Sequence, residues 1–363
     1  MNAMTHKERF LNALNRKPVD QLPCGDGLWG ETHARYIQEG HLRTGEDVCT
    51  HFDMSWRTAD WLISVADFDF KDKVINETED TILKLNGNGA QLRLWKARSG
   101  TPEHVDFAVK ERAAWEDTIK PHLLKVDRRR IPFENYRLRK AQSAKEQRAF
   151  GWAGVAPFEL IHPVCGHEHM LMGMALDPDW VLDMAMTYAD FTIMHLETLF
   201  AEEGLPEFMW FYEDMGFKER PFMSPAMYEA LIMPGHKKLF DYAHSKGLKV
   251  VVHSCGFVEP LVPGLVAAGM DCLQAMEVKA GMDMPRIAKQ FGDRISFCGN
   301  LDIRILATND RALIDAELNR KIPPILKMGS GFILHSDHSI PPEVDHDTLH
   351  WFFDHGRRIT ERI

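Results

Sequence analysis

The sequence predicts an α/β chain: a (β/α)8 TIM barrel carrying an N-terminal helical and β-hairpin elaboration. Three observations lead there. From residue 148 onward, β-branched and aromatic runs alternate with helical stretches, the pattern of a parallel sheet with helical crossovers. Polar and ionisable residues gather just after run after run, as they do on the C-terminal face of a barrel. The first run lacks the glycine-rich phosphate loop that an open doubly wound sheet usually carries there. Residues 1–363 read as a single domain on this pattern, with an insertion at about 73–96.

The elements follow in order. Thr5 to Asn15 has Phe10, Leu11 and Leu14 on one face and reads as a short amphipathic helix. Val19 to Gly25 leads into the first strand, and Glu31 to Gln38 is helical. Between Lys73 and Lys96, alternating apolar positions flank Asn86-Gly87-Asn88-Gly89, a strong turn signal, so this stretch is read as a β-hairpin insertion. Arg112 to Ile119 and Glu134 to Gln147 are helical. Strands are then expected over Ala149 to Val155, Phe208 to Tyr212, Lys249 to Val252, Asp271 to Met276, Ile295 to Cys298 and Gly331 to Leu334. Helices are expected over Asp177 to Leu199, Pro225 to Gly247, Val258 to Gly269, Met284 to Phe291, Arg311 to Met328 and Thr348 to Arg358.

Composition narrows the function. The chain is 26% charged and 45% hydrophobic, with a net charge of −10, which argues against a general nucleic-acid binder. No apolar run approaches the roughly 20 residues that span a bilayer, and Met1 to Arg9 lack the apolar centre of a signal peptide. A cytoplasmic enzyme is the expectation. Six cysteines in 363 residues do not make a disulfide framework. Cys24, Cys49, Cys165 and Cys272 read as buried thiols, and the nineteen methionines as core filling.

The chemistry gathers at the strand ends. Val250-Val251-Val252 stops at His253-Ser254-Cys255-Gly256, and alternation turns residues i and i+2 to one side. A histidine and a thiol facing one way form half a zinc site. Glu277 and His338 follow later strands and complete a four-ligand set; Cys298 is the alternative thiolate. Glu213 and Asp214 follow the Phe208 strand and are the candidates for a general acid. Asn300 and Asp302 are candidates for positioning substrate, and Trp29 and Tyr212 for lining an aromatic pocket; Trp152 and Trp210 lie in comparable places. Each of these residues also has an ordinary structural use, so the weight rests on their joint placement. His167 and His169 sit in a helical start, where i and i+2 do not face each other.

Three stretches carry a resemblance to a known family. His6-Lys7-Glu8-Arg9-Phe10-Leu11-Asn12-Ala13-Leu14, Phe297-Cys298-Gly299-Asn300-Leu301-Asp302 and Asp337-His338-Ser339-Ile340-Pro341-Pro342 resemble the uroporphyrinogen decarboxylase superfamily, which includes zinc-dependent methyltransferases serving corrinoid proteins. The resemblance spans essentially the whole chain and implies the (β/α)8 barrel. In the methyltransferase branch, His-x-Cys and a later Cys bind zinc. The related cobalamin-independent methionine synthases add a Glu between them. His253, Cys255 and Glu277 match those positions, while His338 stands where the last Cys is expected. One thiolate in place of two implies a harder, more Lewis-acidic metal.

The resemblance therefore implies methyl transfer from a small methylated donor, a methoxylated aromatic among them, to the corrinoid (cobalamin) of a partner protein. The hairpin insertion would shape the rim of that face or a homodimer contact. A uroporphyrinogen-type decarboxylase is the second reading. It is disfavoured because Leu22 to Gly30 lacks the Arg-rich motif of the decarboxylases and the strand ends are acidic. A binding barrel without chemistry is the third.

Overall fold

The computed structural model describes residues 3–97 and 102–362. Its centre is a curled seven-stranded parallel sheet. The strands are β1 (Trp56–Ala59), β6 (Ala149–Val155), β7 (Phe208–Tyr212), β8 (Lys249–Ser254), β9 (Cys272–Ala275), β10 (Ser296–Gly299) and β11 (Phe332–Ile333). They pair in sequence order, so each neighbour is reached by a helical crossover. Strands of this kind are buried on both faces, which explains runs such as Val250-Val251-Val252. The long crossover helices Pro157–Leu176 and Pro178–Glu203 pack outside.

Of the predicted eight-stranded barrel, the structure shows a curled half-barrel of seven laddered strands. Leu334 N donates to Pro23 O at 2.9 Å and Gly25 N to Leu334 O at 3.1 Å, while Ser55 N donates to Cys24 O at 2.7 Å. The stretch 23–25 therefore bonds beside both edges of the sheet, by the isolated parallel bridge Cys24–Leu334 on one side and the single Ser55 hydrogen bond on the other. β1 was not foreseen: Trp56-Arg57-Thr58-Ala59 carries a charge mid-strand and is too short to show a period.

The interior of the curl is filled by Trp56, Ala153, Phe208, Trp210, Val251, Cys272, Cys298 and Ile333. The N-terminal helix His6–Leu14 supplies Phe10, whose ring lies 4.6 Å from Phe208 and 5.0 Å from Trp56. That helix starts where expected because Thr5 and Glu8 form a capping box.

The insertion is larger than a hairpin. Strands β2 (Lys73–Glu77), β3 (Thr81–Leu85), β4 (Ala90–Trp95) and β5 (Glu103–Phe107) make a four-stranded antiparallel sheet. The Asn86–Gly89 turn is present, with Gly89 at φ 71°. The part of helix 157–176 before Gly166 was not expected, because Pro163 and Gly166 interrupt its pattern. Gly166 sits at φ 73° in a kink, where a Cβ would meet the Phe107 ring at 2.4 Å. The kink divides the stretch into two helices, and His167 and His169 open the second, in keeping with the helical start expected there.

Candidate metal centre

Strand parity builds the site. Val251 faces the interior, so His253 and Cys255, two and four residues on, face inward at the C-terminal rim. Tyr212 and Gln274 stand opposite His253 in the flanking strands. His253 Nε2 lies 3.3 Å from Cys255 Sγ and 3.2 Å from Asp214 Oδ1. Asp214 Oδ1 also accepts the Cys255 N–H at 2.7 Å. Ligand atoms of Asp214, His253 and Cys255 all fall within 4.8 Å of one another. An imidazole, a thiol and a carboxylate from the ends of two adjacent strands are donors that zinc favours, and three protein ligands leave a position open.

Gln274, which the sequence offered no reason to notice, completes the arrangement. Its Oε1 accepts from His253 Nδ1. That hydrogen bond keeps a proton on Nδ1, so Nε2 is the nitrogen that would give up its proton to ligate a metal, the usual outer-shell device for a ligating histidine. On the other side of His253 the Tyr212 ring packs at 4.9 Å. The electrostatics are mutual. Burial opposes charge on His253, but the hydrogen bonds its ring gives to Asp214 and Cys255 outweigh it and hold the imidazole well above its usual range. Burial likewise raises Asp214, yet the His253 contact leaves it below the usual carboxylate range. Burial raises the Cys255 thiol, and His253 offsets this only in part.

The remaining candidates are distributed as follows. Glu277 does not join the three-residue group; its Oε2 accepts the Gly256 N–H at 2.9 Å and so holds the turn just after Cys255. His338 stacks on Trp29 at 5.7 Å, at the half-exposed rim. Cys298 is buried in the interior beside Cys272, and burial pushes its thiol well above the usual range. Glu213 is fully buried, accepts the N–H groups of Phe158 (2.8 Å) and Glu159 (3.1 Å), and bonds to His236. It is used to start helix 157–176, whereas Asp214 is half-exposed beside His253. Asn300 and Asp302 are also consumed. Asn300 Nδ2 donates to Met276 O (2.6 Å) and Met282 O (3.2 Å). Asp302 caps the turn Ile303–Leu306 and pairs with Arg304.

One further acid lies near. Burial raises the Glu159 carboxyl, the His162 contact at 3.1 Å opposes this, and the charges of Asp214 and Glu213 add to the rise. Tyr212 also lines a cavity of about 600 Å³ that runs past Trp56, Trp210 and His335 towards His33, Asp47, Arg57 and Arg139. Both arginines are already paired with Asp47, and Arg57 with Glu146 as well.

The comparisons with known proteins bear on this site. The family model for uroporphyrinogen decarboxylase (URO-D) matches residues 5–359. The chain belongs to that family. Its sequence matches no curated protein. Among solved structures, a methyltransferase from Methanosarcina mazei superposes with a TM-score of 0.64 at 14% identity, covering 99% of each chain. At that identity the likeness is one of fold, and the URO-D fold so shared sets the Asp214, His253 and Cys255 cluster on the C-terminal rim of the sheet. A β-glucosidase from Pyrococcus furiosus aligns at a TM-score of 0.40 and 10% identity over 93% of each chain, too distant to carry an argument. Among the described residues no helix is long and apolar enough to cross a membrane.

Proposed function

We propose that this URO-D family member is a zinc-dependent methyltransferase that moves a methyl group from a small methylated donor to a corrinoid carried by a partner protein. The convergence of His253 Nε2, Cys255 Sγ and the Asp214 carboxylate within 4.8 Å carries the reading. This donor set revises the expected one: Asp214 takes the carboxylate place, Glu277 supports the loop, and His338 belongs to the rim. Bound there, zinc would act as a Lewis acid on the donor heteroatom and improve it as a leaving group.

The chain's own residues do the rest. Gln274 fixes the His253 tautomer, and Asp214 ties the Cys255 backbone to the histidine. Tyr212, Trp210 and Trp56 give the adjoining cavity aromatic walls that suit a methoxylated aromatic. Glu159, whose carboxyl burial raises above its usual range, is the side chain we assign to protonate a departing oxygen. A polyanionic porphyrinogen fits less well, because the arginines that line the cavity are neutralised by Asp47 and Glu146. In the same reading the 23–25 stretch closes the sheet into a (β/α)8 barrel. The seven crossover-linked strands and the bonds beside both sheet edges support that closure.

The test is incubation of the zinc-loaded protein with reduced corrinoid, free and protein-bound, and a panel of methyl donors. The expected outcome is methylcobalt formation, followed by absorbance, that needs Cys255. Release of carbon dioxide from a porphyrinogen, without methylcobalt from any donor, would install the decarboxylase reading instead. A protein that binds no metal would favour a binding barrel.

A further inference from the structure

A second group of imidazoles lies outside the sheet, where the N-terminal elements meet the closing helix. His41 follows helix Gly30–Gln38, His51 ends the short helix Val48–His51, and His346 opens helix His346–Arg357. These distant segments converge closely. His346 Nε2 lies 2.8 Å from His51 Nε2, and His346 Nδ1 lies 3.2 Å from Asp347 Oδ1. The His41 ring stacks on the His346 ring at 4.3 Å. His51 Nδ1 is 3.0 Å from Glu46 Oε1. One ligand atom each from His41, His346 and Asp347 fall within 4.8 Å of one another. We propose that this cluster is a second metal site, for a divalent transition ion such as Zn2+, with His41, His346 and Asp347 as ligands and His51 as their outer-shell support.

Counting protons supports the assignment. A neutral imidazole has one N–H. His51 gives its Nδ1–H to the Glu46 carboxylate, so its Nε2 is an acceptor and takes the Nε2–H of His346. His346 Nδ1 is then a lone pair facing a carboxylate oxygen, acceptor against acceptor, and a cation between them resolves the contact. The competing solution is a proton on the cluster, which zinc titration distinguishes from a metal.

Two nitrogens and one oxygen suit zinc and its neighbours in the first transition row. The chain metal–His346–His51–Glu46 is the outer-shell pattern that orients a ligating histidine. His41 is the half-exposed member. Its ring must swing out of the stack to ligate, because parallel rings hold their lone pairs in separate planes. The position has a consequence for the barrel. Glu46, Asp47 and Val48 line the same cavity as Trp210 and Tyr212. An ion holding His51's neighbours would therefore steady the outer wall of that cavity.

The test uses the full chain without an affinity tag, in a Cys255→Ala background that silences the rim cluster. Zn2+ is titrated by calorimetry into this protein and into versions that also carry His346→Ala or Asp347→Asn. The expected result is one zinc per chain in the background protein. Affinity should fall about tenfold or more in each added variant, as loss of a ligand should cost at least what an outer-shell change does. Co2+ in place of zinc should give visible absorption that His346→Ala removes. Asp347 is largely exposed, so Asp347→Asn keeps the test meaningful even where His346→Ala perturbs packing. Absence of Zn2+ binding in the Cys255→Ala protein overturns the proposal. So does unchanged stoichiometry and affinity in both added variants. Neither outcome bears on the rim cluster, which the wild-type titration reads separately.

Discussion

The ends of β7 and β8 and the ends of β10 and β11 look alike in sequence, and both are rich in acids, amides and imidazoles. They differ in what those side chains have left to offer. At β10 and β11 the groups are spent on backbone. Asp337 accepts the N–H groups of Val278 and Ile303, each at 2.8 Å, and so ties two neighbouring strand-end loops together. Asn300, at φ 61°, holds the carbonyls of Met276 and Met282, and Met276 itself sits at φ 56°. At β7 and β8, His253 Nε2, Cys255 Sγ and one edge of Asp214 face each other with no backbone obligation beyond the Cys255 amide. A polar residue at a strand end becomes chemistry only when the loops do not already need its hydrogen bonds.

The largest effect should come from Cys255→Ala, which tests the free side of that comparison. It should abolish methyl transfer and rim zinc binding, a loss beyond the roughly 10- to 100-fold of an outer-shell change. The unfolding midpoint of the metal-free protein should barely move. A variant that still transfers methyl groups would place the chemistry elsewhere. Asp337→Ala tests the spent side. It leaves two amides without their acceptor, at a cost of ~2–6 kcal/mol, read by urea denaturation. Zinc content at 25 °C should persist wherever the variant stays folded; equal stability to wild type would show that the loops do not depend on Asp337.

Gln274→Leu should sharpen the contrast at intermediate size. Zinc affinity should fall about 10- to 100-fold, because His253 loses the partner that fixes its tautomer, while Gln274→Glu should retain or strengthen binding. If both variants bind as wild type does, Gln274 is only packing. The smallest effect concerns an acid spent entirely on structure. Burial raises Asp47, but Arg57, the Thr50 amide and Arg139 outweigh it and hold the carboxyl at about 2. A folded-state value below the unfolded one means the contribution is complete above about pH 4 and is lost as pH falls towards 2. Urea midpoints should decline over that window, and Asp47→Asn should flatten the decline. An unchanged slope would remove Asp47 from the acid sensitivity.

The strands from residue 149 onward were legible because β-branched and aromatic runs closed by glycine or a polar cluster leave little choice of period. His-x-Cys was legible for the same reason, since alternation in a strand turns positions 253 and 255 to one side. The helical stretch before Gly166, which bears Pro163, and the short β1 were not, because each breaks or falls short of a period. The extra strands of the insertion lie in stretches with weak alternation.

The sequence by itself determined that this chain is a parallel α/β fold of the URO-D family with polar chemistry at the strand ends, because periodicity and motif are local properties. Only the tertiary structure decided which polar residues stand together. Glu213 and Asp214 are adjacent in the chain, yet one starts a helix inside the protein and the other faces His253. Glu277 went to a backbone amide, and Gln274, featureless in sequence, became the partner of His253. Those outcomes depend on which backbone N–H groups the folded loops leave unpaired, and a hydrogen bond between strands is settled only when the strands are side by side.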